Sequence, residues 1–296
     1  MLNVEESLFL GSEVILSLYP ILIKSVPVNL FTQLFSRLIT FTGGSAAMAT
    51  KDDFMSVFGN PEAMARTLFL GAITLIHVYV SYSAFSSLSA GVAMSLFYTY
   101  PIWNLIGAKY IFNENIHSDS FKYIGIGILG TFLLSTRGIF DDIRGITQNS
   151  VGATIGGLAA LAAAITESIM YFAVKTNEKN NPWSSTLELY GGALMLMLPA
   201  VIFRLIPISF SWATWLPIVG FNFFVGFLGY ALRFYTIPKV KTEIFGLLSF
   251  IGVISSFIFG YLFMNEKPSM WSVVGALLVI YATSYIETLR PQETED

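Results

Sequence analysis

The stretch Leu88–Glu114, LSAGVAMSLFYTYPIWNLIGAKYIFNE, is a long apolar run with small residues at turn spacing that closes on Asn-Glu. It has a weaker echo in Thr242–Glu266, TEIFGLLSFIGVISSFIFGYLFMNE, whose closing glutamate lies 152 positions after the first. In a chain of 296 residues that offset divides the sequence into two similar halves. The first half carries apolar runs near 7–24, 28–48, 66–88, 90–111 and 120–136, and the second near 151–174, 185–203, 213–235, 242–264 and 271–287. Runs of about 20 residues match the hydrocarbon thickness that a helix must cross. The expected fold is therefore an all-α integral membrane protein of ten transmembrane helices, duplicated as residues 1–145 and 146–296.

Composition enters as a test of that reading. Charged residues are 12% and hydrophobic ones 54%, with a mean hydropathy of +0.67, whereas soluble domains are about 25% charged. A soluble domain of this size would lack the groups to cover its surface, which excludes a cytoplasmic enzyme as the leading class. With no cysteine there is no disulfide, thiolate metal site or thiol nucleophile, and two histidines cannot build a histidine-rich cluster. Neither a metal nor a cofactor is expected. The net charge of -3 is spread through short loops and offers no basic surface to nucleic acid. The start, MLNVEESLFLG, places acids before its apolar run and reads as a retained first helix rather than a signal peptide.

The longest polar connection, RGIFDDIRGITQNS over 137–150, is the expected junction of the halves, and 49–65 has room for a short interfacial helix. With the amino terminus cytoplasmic, the cytoplasmic face holds ten basic residues, Lys51, Arg66, Lys109, Lys122, Lys175, Lys179, Arg233, Lys239, Lys241 and Arg290. The outer face holds five, Lys24, Arg137, Arg144, Arg204 and Lys267. That bias places both termini in the cytoplasm of a plasma or inner membrane. Five helices per half then force the second half to insert upside down, as in carriers that work by alternating access.

Ionisable groups inside the runs point to a cavity, because hydrocarbon penalises them. Arg37 shares a helical face with Gln33, Thr40 and Gly44. Glu13 shares one with Ser17 and Pro20, and Glu167 lies two turns before Lys175. Under the inverted topology both carboxylates sit about 10 Å deep, at 1.5 Å per residue. Thr74, His77 and Ser81 form a polar face beside Tyr82; Tyr98 belongs to the fourth run, and Asn222, Tyr230 and Arg233 to the eighth. The candidate substrate-binding or coupling set is Glu13, Arg37, His77, Tyr82, Tyr98, Glu167, Asn222, Tyr230 and Arg233. Two readings of it stay open: the acids bind an amine or carry a proton, or they pair with Arg37 or Arg233 and lock the bundle. Pro20 and Pro101 each delete a helical amide bond and bend their runs. Lys239, Lys241 and Glu243 mark either a cytoplasmic gate or a snorkelling membrane edge. Small residues, Gly246, Ser249, Val253, Ser256 and Gly260 in the ninth run and Gly156, Ala160 and Ala163 in the sixth, mark close helix contacts.

The segment Tyr82–Ser135 resembles the EamA-type branch of the drug/metabolite transporter superfamily. The likeness rests on the Ala/Ser-rich start of the fourth helix, Pro101 within it, Glu114 at its end, and Gly125 and Gly130 beyond. Val26-Pro27 followed by Arg37 is similar to that family's second helix, and Asn265-Glu266 with Gly275 repeats the pattern in the second half. The chain departs from it in lacking a tryptophan near Gly11 and a counterpart of Pro101 in the second half. The resemblance implies ten helices around a central pocket, lined or gated by the fourth and ninth. It also implies secondary export or exchange of amino acids, amines, nucleosides or related metabolites, sometimes proton-linked and without ATP hydrolysis. Partners would be a small metabolite and membrane lipid, as a monomer or homodimer.

Mixed charge signs favour a zwitterion such as an amino acid. A sugar-phosphate or nucleotide-sugar carrier would gather unpaired Lys or Arg at its pocket, against which Glu13 and Glu167 count. A noncatalytic membrane scaffold is the other alternative. A membrane enzyme would need a nucleophile-base or metal-ligand motif, which the sequence does not carry.

Overall fold

The computed structural model describes residues 2–88, 90–177, 181–264 and 269–289, without the side chains of 24, 90, 91, 136–151, 153 and 264. Asn265 and Glu266 of the echo, and Lys179, Lys267 and Arg290 of the charge count, lie outside the described residues, as do the side chains of Lys24, Arg137 and Arg144. All regular structure among the described residues is helical.

Seven segments are long and apolar enough to cross a membrane: α1 (Val4–Ile23), α3 (Pro61–Ser87), the Thr154–Lys175 part of α6 (Thr136–Lys175), α7 (Pro182–Ile202), α8 (Trp212–Thr236), α9 (Thr242–Met264) and α10 (Met270–Leu289). Between them come α2 (Leu30–Met48), the broken α4 (Ala90–Phe97 and Tyr100–Tyr110) and α5 (Ser118–Leu134). Each of these three falls short for a local reason: α2 carries Gln33, Arg37 and several hydroxyls, α4 is interrupted, and α5 has 17 residues. The region 49–65 holds a short helix, Lys51–Phe58, started by a reciprocal Thr50–Asp53 cap. The expected connection at 137–150 is instead helical and continuous with α6, 40 residues in all. At 1.5 Å per residue that is about 60 Å, twice a hydrocarbon layer.

Burial is inverted relative to a soluble protein. Large apolar side chains such as Phe69, Leu158, Leu216, Phe224, Leu262 and Leu277 face outward, while Glu13, Arg37, His77, Glu167 and Arg233 are buried. Outward apolar faces on so many helices suit a hydrocarbon solvent.

The packing follows the duplication. Helix α1 packs on α8 and α9, and its counterpart α6 packs on α3 and α4. Helix α2 packs on α8 as α7 does on α3, while α2 meets α7, α4 meets α9 and α5 meets α10. Exchanging the halves maps this set of pairings onto itself. Close approach depends on missing side chains: a Cβ on Gly71 of α3 would lie 2.3 Å from the backbone of Gly192 in α7. Gly246 and Gly156, from the two small-residue faces, likewise pack against Ile124 and Pro101 and against Ser87 and Leu88.

Polar clusters tie the bundle at the end where α4 and α6 finish and α5 and α9 begin. Glu114 pairs with Lys175 at 2.7 Å and accepts from the Thr242 hydroxyl at 2.8 Å, and Lys175 also reaches Thr242. Glu243 is buried and accepts from the His117 amide at 2.8 Å and the Ser120 hydroxyl at 2.5 Å, which caps the amino end of α5. Lys239 sits over the Tyr235 ring, and Lys241 reaches the Leu289 carbonyl.

Candidate functional site

Helix α1 breaks at Ser17–Leu18, just before Pro20, and α4 breaks at Tyr98–Thr99, just before Pro101. Each proline withholds the amide that its helix would need four residues back. The break in α4 places Tyr98 where its hydroxyl donates to Glu13 Oε2 at 3.1 Å.

Glu13 is one arm of a buried ionic cluster. Arg233 of α8 is hydrogen-bonded to Glu13 Oε1 through Nη1, and its Nη2 stands 2.8 Å from Glu167 Oε1, an ionic contact out of line for a hydrogen bond. Arg233 is 3% exposed, Glu13 0% and Glu167 3%, so these charges answer one another with little help from water. The similar depth of the two acids is thus used by one guanidinium that bridges them. Arg233, counted from the sequence among the cytoplasmic basic residues, belongs to this core instead. A turn of helix before the α8 terminus its side chain points inward.

Glu167 Oε2 faces His77 Nε2 at 3.4 Å. On the other side of the ring, His77 Nδ1 lies 3.1 Å from Thr166 Oγ1, whose own proton goes to the carbonyls of Ala162 and Ala163. His77 thus stands between Thr166 at Nδ1 and Glu167 at Nε2, with Ser81 Oγ 3.5 Å from the same Nε2.

The second centre is Arg37 of α2. Its guanidinium carbon lies 4.8 Å from the Tyr19 ring centre, 4.9 Å from Tyr230, 5.0 Å from Phe41, 5.4 Å from Tyr190 and 5.8 Å from Tyr82. Its Nη2 donates to the Tyr190 hydroxyl at 2.8 Å, and no carboxylate among the described residues pairs with it. Tyr190 sits in a π-helical turn, Leu187–Gly191, of α7. Such turns occur often at functional sites because they re-aim a side chain.

Both centres open on one cavity of about 60 Å³. Helix α1 lines it with Leu16, Tyr19, Pro20 and Ile23; α3 with His77, Ser81, Tyr82 and Phe85; α4 with Met94, Phe97 and Tyr98; α2 with Arg37; and α8 with Tyr230 and Arg233. The α1, α3 and α4 walls come from the ends of those helices away from the Glu114 and Glu243 clusters, while Tyr230 and Arg233 come from the late part of α8, close to where α9 begins. Two larger hollows of about 320 Å³ lie elsewhere, one beside the Arg66–Glu188 pair and one apolar between α2, α3 and α7. Neither gathers buried charges of both signs.

Six residues expected from sequence, Arg37, His77, Tyr82, Tyr98, Tyr230 and Arg233, stand on the cavity wall, with Glu13 and Glu167 directly behind Arg233. Asn222 stands apart: it accepts from the Tyr19 hydroxyl at 2.8 Å and donates to Ser36 at 3.0 Å, which fastens α8 to α1 and α2. Asn222→Ala strands both partners in the core and is expected to lower unfolding stability by about 1–3 kcal/mol, with solute affinity touched only indirectly, through Tyr19. Chemical denaturation and a binding isotherm on the same preparation would check this. Sequence reading missed Tyr19, Tyr190 and Thr166.

The EamA-like transporter family profile matches residues 4–136 and, a second time, residues 154–288. The chain belongs to that family. Two matches in tandem account for the exchange symmetry of the packing, and the family makes this protein a membrane transporter. Similar proteins include the uncharacterized transporter YxxF of Bacillus subtilis (strain 168), 20% identical over 77% of this chain and 70% of that protein. Solute carrier family 35 member G1 of Mus musculus is 25% identical over 77% of this chain and 63% of its own length. Its Homo sapiens counterpart is 21% identical over 87% and 70%. A solved crystal structure shares the fold with a TM-score of 0.70, at 15% identity, over 97% of this chain and 99% of the other.

Proposed function

We propose that this protein is a secondary carrier that moves a small polar metabolite, an amino acid by preference, by alternating access through the cavity at Arg37 and Arg233. One arrangement carries the reading: elements of both halves meet at a cavity walled by Arg37 and Arg233, Glu13 and Glu167 stand behind Arg233, and polar clusters tie one end. In this reading α2, α4 and α5 cross the membrane as well, giving ten crossings in two inverted repeats divided near residue 145, with both termini cytoplasmic. A cavity of about 60 Å³ holds a few waters, so an amino acid enters only when the helices part. The Glu114–Lys175 and Glu243–Ser120 contacts are the ones that separate when the tied end opens.

The His77–Glu167 contact supplies the coupling. His77 Nε2 and Glu167 Oε2 stand 3.4 Å apart beside the cavity, so the transported proton is taken up by this pair. Opening to water lets that proton leave, and Arg233, Glu13 and Arg37 set the field in which it is held.

Counterflow in proteoliposomes tests the carrier, and concentrative uptake under an imposed proton gradient tests the coupling. Amino acid counterflow without a gradient is expected, with accumulation that collapses when the gradient is dissipated. Glu167→Gln is expected to keep counterflow while losing accumulation by tenfold or more. A folded protein that exchanges no solute would discard the carrier reading in favour of a scaffold.

A further inference from the structure

We propose that the Arg37 guanidinium, inside its box of aromatic rings, binds the carboxylate group of the transported solute. The inference rests on the carrier reading and deepens it.

Two arginines stand on the cavity wall, and their charges are treated differently. Arg233 is answered by two carboxylates, Glu13 and Glu167. Arg37, 3% exposed, is answered among the described residues by ring faces and neutral hydroxyls, that of Tyr190 at 2.8 Å and the neighbouring ones of Tyr82 and Tyr230. Aromatic faces attract a cation through their quadrupoles, but they carry no net charge with which to neutralise it. A buried guanidinium without a counter-charge is costly, and a solute that brings an anion removes that cost.

The unmet hydrogen-bonding groups agree with this. Arg37 Nε and the Tyr82 hydroxyl are both buried, both belong to residues on the cavity wall, and neither makes a well-formed hydrogen bond to a described residue, the Tyr82 hydroxyl lying beside Arg37 and Tyr19. An Nε–H and a phenolic O–H on two residues of one cavity wall form, once the helices part, a donor pair suited to the two oxygens of a carboxylate. Tyr19 and Tyr230 lie closest to the guanidinium carbon and Tyr190 holds Nη2, so the fork is fixed before the solute arrives.

Charge arithmetic selects among anions. A phosphate monoester carries close to two negative charges and calls for a second cation, and Arg233 is already committed to two acids. One uncommitted positive charge matches one carboxylate.

Counterflow of a panel of L-amino acids, each beside its primary amide and its phosphate-bearing analogue where one exists, reads this directly. Wild type is expected to move the acids at least tenfold better than the amides. Arg37→Gln is expected to erase that preference, and Arg37→Lys to retain part of it. Tyr82→Phe and Tyr190→Phe, which keep the rings and the charge, are expected to raise KM for the acids several-fold with little change for the amides; they carry the test if Arg37→Gln does not fold. Equal transport of acids and amides by wild type overturns the proposal and leaves the carrier reading standing. So does an Arg37→Gln protein of unchanged unfolding midpoint that keeps the preference. Better transport of phosphate esters than of carboxylates overturns it in favour of a phosphate carrier. Absence of exchange for every solute takes the carrier reading down with it.

Discussion

Arg233→Gln is expected to cost about 3–5 kcal/mol of unfolding stability and to abolish transport. The side chain is the only positive charge among the described residues that touches Glu13 and Glu167, and all three are nearly inaccessible to solvent. Removing it leaves two carboxylates in the core with the Tyr98 hydroxyl and His77 as their remaining polar contacts. The loss comes from stranded charge rather than from any large net stability of the cluster, because a buried ion pair repays little beyond its own desolvation. That distinction can be measured. The triple replacement Glu13→Gln, Glu167→Gln, Arg233→Gln removes the stranded charges together with the cation, and is expected to regain most of the lost stability without regaining transport. Denaturant unfolding in detergent of the single, double and triple variants closes the cycle. An Arg233→Gln protein as stable as wild type would show that the two acids are not ionised partners of this guanidinium.

How much of this could be read beforehand depends on what kind of fact each element is. The apolar runs were legible because hydrocarbon thickness sets their length, and the duplication because the offset between Glu114 and Glu266 repeats it. That Glu13, Arg37 and Glu167 would turn inward was legible because lipid makes charge costly. Their partners were not, since pairing is decided by which helix faces meet. The sequence left Glu13 and Glu167 free to pair with either arginine; packing gives both to Arg233 and neither to Arg37. Arg233 itself read as an edge charge because it lies near the end of its run, where snorkelling is the ordinary outcome. Tyr190 had an overlooked signal. It lies 153 positions after Arg37, within one of the offset between the repeats, so the duplication itself could have placed the two opposite each other. Asn222 shows the converse: a polar residue in mid-helix suggests a pocket, but here its two hydrogen bonds are both to protein. The helix through 137–150 was unreadable from hydropathy because polarity argues against a membrane span and not against a helix.

Gly275→Val is expected to have the other large effect, and it lies away from the cavity altogether. A Cβ at Gly275 of α10 would stand 2.4 Å from the Leu134 amide nitrogen and 2.5 Å from the Gly130 carbonyl oxygen, both on α5. These are backbone atoms, so no rotamer change relieves the overlap, and the two helices must separate. The reverse contact is equally tight, with a Cβ at Gly130 placed 2.8 Å from the Gly275 carbonyl. Ser272 also donates to the Leu134 carbonyl at 3.0 Å across the same seam, a bond that separation would break. Without a hydrophobic force to press helices together in lipid, association depends on such close fit. Overpacking costs about 1–3 kcal/mol in ordinary cores, and valine against rigid backbone belongs at or above the top of that range. Gly125, on the same helix as Gly130 and named beside it in the family likeness, supplies the control: nothing lies within 4 Å of its Cβ position. Gly125→Ala is therefore expected to leave the unfolding midpoint unchanged or slightly raised, since alanine is the better helix former by about 1 kcal/mol. The readout is the fraction of monodisperse protein after graded heating, compared across Gly275→Val, Gly130→Val and Gly125→Ala. Equal losses in all three would mean that these glycines serve helix flexibility rather than contact, and the seam between α5 and α10 would then have to be held by something other than backbone proximity.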